Sequence, residues 1–235
     1  MSILKSLRNI ISYRYRSILY NKIAPYFRNT SPKSYGKCGK NVSLNCPLYV
    51  KAKNIFLDDY TRLQPGIRMI AANGTLHVKK YSAIGAQCVI IPGGHKPTVG
   101  LPQYLSYLHI NDEDCDIVVN EDCWIGAGCY LLSHCCIGRG AVVAAGSIVT
   151  KPIPPYAVAA GSPCKIIGVR FSIEQIIEHE RQLYPENERF KPEELEQLFK
   201  DNFEGKRVIG TSDIKPEEKE LLTREKNTLG IKTYE

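Results

Sequence analysis

The aliphatic residues Val119, Ile125, Leu131, Ile137, Val143 and Val149 recur at every sixth position without a break. Four places after each stands a small side chain, Cys123, Cys129, Cys135, Ala141 and Ser147, with Ile153 closing the series as its largest member. The same clock runs upstream through Leu57, Leu63 and Met69, then through Val78, Ile84 and Ile90 with Ser82 and Cys88 in the small position. It starts weakly at Val42, Cys46 and Leu48. A period of six matches neither the 3.6 of an amphipathic helix nor the 2 of a hairpin meander. It suits a β-helix, in which each hexad is a short strand plus a corner and three hexads close one three-sided coil. Residues eighteen apart then stack, Val119 with Ile137 and Ile125 with Val143. Inward positions must be aliphatic or small because successive coils lie only about 4.8 Å apart.

This repeat bears on the run "CWIGAGCYLLSHCC" (123 to 136), whose four cysteines and one histidine invite a zinc reading. Zinc sites favour C-x2-C pairs, whereas the spacings here are six, six and one, with Ile125 and Leu131 competing for the same interior. Five of the nine cysteines (46, 88, 123, 129, 135) hold the small inward slot, where free cysteine acts as a small hydrophobe. No metal is expected, and His134 should face solvent at a corner. An odd number of cysteines in a chain this long also points to reduced thiols rather than a disulfide scaffold.

The 235 residues, 43% of them hydrophobic, suit one domain with appendages. No run of about eighteen apolar residues is present, and Lys5, Arg8, Arg14 and Arg16 interrupt the N-terminal apolar positions, so neither a membrane span nor a signal peptide is expected. The expected location is therefore the cytoplasm. The net charge of +7 is concentrated, because residues 1–40 hold nine of the 31 Lys and Arg and no acid, leaving 22 bases against 24 acids. That asymmetry argues against a nucleic-acid partner, which favours a basic face on the folded domain.

Residues 3–27 place Leu4, Leu7, Ile11, Tyr15 and Ile18 on one helical face with arginines around it. Such a helix can cap the open end of a β-helix or contact another subunit, the favoured reading, or lie peripherally on an anionic bilayer at the inner membrane face. At the other end, Ser172 and Gln175 stand at capping-box spacing before the apolar Ile173, Ile176, Ile177 and Leu183, and Pro185 stops the run. This helix should cover the far end of the coil. Further helices should begin near Pro192 and Pro216, with the last ten residues loosely held.

From 118 to 167 the sequence "VVNEDCWIGAGCYLLSHCCIGRGAVVAAGSIVTKPIPPYAVAAGSPCKII" resembles the hexapeptide-repeat acyltransferases. Within that family it is similar to the galactoside, maltose, nodulation-factor and xenobiotic O-acetyltransferase branch, and "RFSIEQIIEHERQLYP" (170 to 185) looks like its polysaccharide-biosynthesis members. The resemblance implies an all-β, left-handed parallel β-helix with helical appendages, acetyl-CoA as co-substrate, and a homotrimer with sites between neighbouring subunits. Three parts follow: 1–35 as the basic helical segment, 36–170 as the β-helix, and 171–235 as the helical extension. Prolines 152, 154 and 155 remove ladder donors, so the regular coil should stop or loosen there and leave edge groups to a ligand. By resemblance this end binds coenzyme A, with contacts at Ala127 after "WIG", Ala145 in "AAGS", Thr150 and Lys151 in "VTK", and Lys165 in "PCK". Trp124 either covers the pantetheine arm or packs in the trimer.

The repeat is interrupted between Ile90 and Val119 by an excursion over about 93–116, and long loops on rigid scaffolds concentrate function. Gly93 and Gly94 should form a turn that sets His95 at its mouth. Transfer from a thioester to a hydroxyl needs a general base, for which imidazole is well matched. By resemblance the base is His95, with His109 as runner-up. The expected function is acetyl-CoA-dependent O-acetylation of a sugar hydroxyl in cell-surface polysaccharide biosynthesis, by direct transfer. The alternatives are an N-acyltransferase on an amino sugar, a zinc hydratase on the same fold, whose three gathered histidines the sequence does not show, and a noncatalytic β-helix used for assembly. The sequence leaves the acceptor, its hydroxyl position and the acyl chain length open.

Overall fold

The computed structural model describes residues 31–70 and 73–234, together with Tyr15 and Ile18. The proposed N-terminal helix therefore lies outside the described residues, except that Tyr15 and Ile18 are helical and exposed.

Short strands succeed one another in fixed rotation over three sheets. The first face carries Lys37–Cys38, Ile55–Leu57, Thr75–Val78, Asp116–Val119 and Cys136–Ile137. The second carries Ser43–Leu44, Arg62–Leu63, Ala83–Ile84, Trp124–Ile125, Val142–Val143, Ala157–Ala160 and Lys165–Val169. The third carries Arg68–Met69, Val89–Ile90, Tyr130–Leu131 and Ile148–Val149. Pairing is parallel except at the final strand Lys165–Val169, and Val119 stands against Ile137, Ile125 against Val143 and Leu131 against Val149, the eighteen-residue register that the period requires. Earlier coils are slightly longer, Leu57 pairing with Val78 and Leu63 with Ile84. The coil holding the excursion sets Val78 against Val119, 41 residues away instead of 18.

Every aliphatic of the repeat from Leu57 to Val149 is buried, and so are Ser82, Cys88, Cys123, Cys129, Cys135, Ala141, Ser147 and Ile153. Cys46 is only half-buried, matching the weak start of the repeat. The thiols fill the tight slot and donate weakly to the neighbouring coil, Cys88 to the Gly126 carbonyl at 3.2 Å, Cys123 to Gly138 at 3.1 Å and Cys129 to Ala144 at 3.2 Å. Burial pushes the Cys123 and Cys135 thiols up to about 12. His134 sits at a corner with an exposed side chain.

The corners form hydrogen-bonded columns. Between the first and second faces Tyr60, Tyr81, Asp122, Gly140 and Tyr156 all have left-handed φ (58°, 68°, 56°, 71° and 58°), each N–H donating to the coil below. Between the second and third faces Gly66, Gln87, Gly128 and Gly146 repeat the pattern. A non-glycine residue in this conformation costs roughly 1–2 kcal/mol, which the regular ladder offsets.

Beyond the prolines the coil changes character. The second face continues, Val143 pairing with Ala159, and is then closed by the antiparallel strand Lys165–Val169. Its edge is covered rather than open. Three helices follow: α1 (Ile173–Leu183), α2 (Pro192–Asn202) and α3 (Pro216–Leu229). The Ser172–Gln175 capping box forms, with Gln175 N–H donating to Ser172 Oγ at 3.3 Å and the Gln175 side chain accepting from Ser172 N–H at 3.0 Å. Contrary to expectation, α1 lies along the first-to-second edge. Its buried Glu180 accepts from Tyr156 Oη at 2.9 Å, Arg139 Nη1 at 3.3 Å and Phe190 N–H at 2.6 Å, while His179 and Arg170 meet Asp122 at 2.8 and 2.7 Å. The expected loose tail is instead tied down: Asn41 Nδ2 and Tyr60 Oη donate to the Leu229 carbonyl at 3.2 and 3.1 Å, and Tyr234 N–H donates to Gln182 at 3.2 Å. No helix among the described residues is long and apolar enough to cross a membrane.

Candidate active site

The excursion leaves the coil at the edge between the third and first faces. Gly93–Gly94 do not make the expected turn: they pair antiparallel with Glu113–Asp114, so the excursion is a hairpin pinched at its base. Asp114 anchors that base by accepting from Asn73 N–H at 3.3 Å, Asn73 Nδ2 at 3.1 Å and Gly74 N–H at 3.2 Å. Between the pinched strands runs a six-residue 3-10 segment, Gln103–Leu108, which ends at His109 in left-handed conformation (φ 54°).

This folding brings His95 and His109 side by side, their ring centroids 5.5 Å apart. Both Nδ1 atoms lie against one oxygen of Asp112, at 2.8 Å from His95 and 2.9 Å from His109. An ionised carboxylate only accepts, so Nδ1 of each ring carries the proton it donates to Asp112, and Nε2 is the nitrogen that faces away from the carboxylate. The imidazoles hold the Asp112 carboxyl below the usual carboxylate range, His109 contributing most. The cluster opens into a pocket of about 550 Å³, lined also by Ile70, Asn73 and Ile91. Its three ligand-type atoms fall within 4.8 Å of one another, close enough to share a cation, although the two N–H donors on one oxygen account for the same geometry.

His95 and His109, taken from the sequence as alternatives, thus form one unit. Sequence reasoning missed Asp112, for which the only available signal was its place three residues after His109. Four of the remaining candidates occupy two edges of the third face. Ala127 and Ala145 stack at the second-to-third corner, where Gly146 N–H donates to the Ala127 carbonyl at 2.8 Å, and both are exposed. Thr150 and Lys151 are exposed after the strand Ile148–Val149, on the edge from which the excursion leaves. Trp124, 62% exposed, stands on the outer side of the second face beside Ala83 and Val142. Lys165 is exposed at the start of the closing antiparallel strand. The structure therefore joins the two alanines, and Thr150 with Lys151, without bringing all six candidates to one spot.

Residues 116–151 match the bacterial transferase hexapeptide (six repeats) family description. Galactoside O-acetyltransferase of Escherichia coli K12 is 31% identical over 136 residues, covering 58% of each chain. A chloramphenicol acetyltransferase of Morganella morganii is 40% identical over 75 residues, covering 32% of this chain and 36% of that protein. A hexapeptide-repeat acetyltransferase from Vibrio cholerae, solved with acetyl-CoA, shares the fold with a TM-score of 0.53 at 22% identity, covering 60% of this chain and 74% of that one. In repeat and fold, the chain is thus similar to hexapeptide-repeat acetyltransferases. It spans about 36% and 58% of the length of the two curated relatives named here.

Proposed function

We propose that the protein is an acetyl-CoA-dependent O-acetyltransferase that acetylates a sugar hydroxyl in cell-surface polysaccharide biosynthesis. The observation that carries this reading is the imidazole pair fixed on Asp112 beside an open pocket on a hexapeptide-repeat coil. With Nδ1–H held by the carboxylate, His95 Nε2 takes the acceptor hydroxyl proton as that oxygen attacks the acetyl carbonyl. The thiolate of coenzyme A then leaves as the tetrahedral centre collapses, and backbone N–H groups stabilise the oxyanion. No covalent enzyme intermediate is needed. His109 shares Asp112 and is the second candidate for the base.

Coenzyme A fits the column of Ala127 and Ala145, whose small exposed side chains let a pantetheine arm lie close to the backbone. Thr150, Lys151 and Lys165 supply hydroxyl and ammonium groups for phosphates, and Trp124 is exposed enough to cover the arm. The sense of coiling is left-handed in this reading, and the working unit is a homotrimer in the cytoplasm. A neighbouring copy would bury the excursion tip, where Val99, Tyr104, Tyr107 and Leu108 are all at least 50% exposed. The test is a screen of labelled acetyl-CoA against free and lipid-linked sugars, with His95→Ala as control. Absence of transfer to any sugar by the wild-type protein would end this reading.

A further inference from the structure

A second pocket, of about 590 Å³, opens on the third face, lined in part by Tyr49, Arg68, Gln87, Val89 and Tyr130. The Arg68 guanidinium carbon lies over the Tyr49 ring, 4.8 Å from its centroid. A guanidinium held over an aromatic ring by cation–π attraction keeps N–H groups available for a bidentate anion contact. Among the described residues Arg68 has no ion-pair partner, and no acid lines the pocket. The exposed amide of Gln87 and the partly exposed phenols of Tyr49 and Tyr130 add hydrogen-bonding groups and aromatic surface. This is the chemistry of a site for a polar ring that bears a negative charge.

Its position relates it to the histidine pocket. Arg68 and Val89 line the anion pocket, and two residues further along the same strand directions Ile70 and Ile91 line the histidine pocket. At a strand rise of about 3.3 Å per residue the two sites are separated by roughly 7 Å along the face, the scale of one monosaccharide. Arg68 and Ile70 are both exposed, so the two pockets open on the same outer surface.

We infer that the Tyr49–Arg68–Gln87–Tyr130 pocket holds an anionic substituent of the acceptor, so that the acceptor is a sugar carrying a carboxylate or a phosphoryl group about one ring away from the hydroxyl that is acetylated. The link to acetylation rests on the function proposed above, whereas the anion site is read independently of it. Binding of glucuronate, galacturonate, glucose 1-phosphate, galactose 1-phosphate and the two neutral methyl glycosides to the full-length protein, measured by calorimetry without acetyl-CoA, tests the site. At least one charged sugar should bind ten or more times tighter than its neutral counterpart, and the preferred anion tells carboxylate from phosphoryl. Arg68→Gln should remove that preference and Arg68→Lys should restore part of it, with unfolding midpoints showing that both variants fold. Equal binding of charged and neutral sugars, or a preference that survives Arg68→Gln, would overturn the inference. Charge-dependent binding without acetyl transfer would sustain the anion site and refute the proposed function instead.

Discussion

At the scale of single residues, His95, His109 and Asp112 form a unit because both imidazoles lean on the same carboxylate oxygen. His95→Ala should lower kcat by about 10²- to 10⁴-fold without changing the melting temperature, and His109→Ala should cost clearly less; the reverse order in steady-state kinetics would make His109 the base. Asp112→Asn should reduce kcat by about tenfold to a hundredfold through loss of ring orientation, leaving KM nearly unchanged. Because its pKa is depressed, the Asp112 carboxylate is charged at neutral pH and through mild acid, and its contact with the imidazoles is lost only as pH falls through that lowered value. An acidic limb in the pH–rate profile should therefore survive Asp112→Asn. The buried thiols allow a separate check: Cys123 and Cys135, raised to about 12, should resist a thiol reagent at neutral pH until the protein is denatured, as mass spectrometry of labelled peptides would show. The break in the period pointed to the excursion that begins near His95, and the choice of His95 within it came from the family resemblance. Asp112 could not, since its role depends on a hairpin that returns residue 112 to residue 95, and no periodicity specifies that return.

At the scale of the strand and corner, the sequence is most informative where the backbone tolerates least. Coils about 4.8 Å apart allow only aliphatic or small inward residues, so the strands and their eighteen-residue register could be read directly from the spacing of Val119, Ile125 and Leu131. The corners were not legible, because Tyr60, Tyr81, Gln87 and Tyr156 hold left-handed backbone that residue type does not announce. Gly146, at φ 71° with open space around it, isolates the conformational cost, and Gly146→Ala should destabilise by about 1–2 kcal/mol in chemical denaturation. At Gly126 the reason is contact, since an added Cβ would stand 2.4 Å from the Ala145 amide nitrogen. Gly126→Ala should therefore be the more damaging of the two by the same measurement. The prolines at 152, 154 and 155 did mark a change in the coil, but the antiparallel return of Lys165–Val169 over the second face has no counterpart in the repeat and was missed.

At the scale of the whole molecule, the helices could be located from Ser172, Gln175, Pro192 and Pro216, yet their course could not. It follows from a buried glutamate on α1 meeting Tyr156 and Arg139, and from the Leu229 carbonyl meeting Asn41 and Tyr60, contacts between residues far apart in sequence. A stack of repeats otherwise interacts only with nearest neighbours and opens from its ends. Removing residues 211–235 should accordingly raise amide exchange in residues 37–63 while leaving the coils from 116 to 149 protected; unchanged exchange at the first coils would show that the tail contributes nothing there. The tail also imposes an order of events on biosynthesis. The opening turns leave the ribosome first, but the carbonyl that fastens them belongs to a residue 188 positions later, so a nascent chain carries that end unsecured until that residue has been added and has folded back.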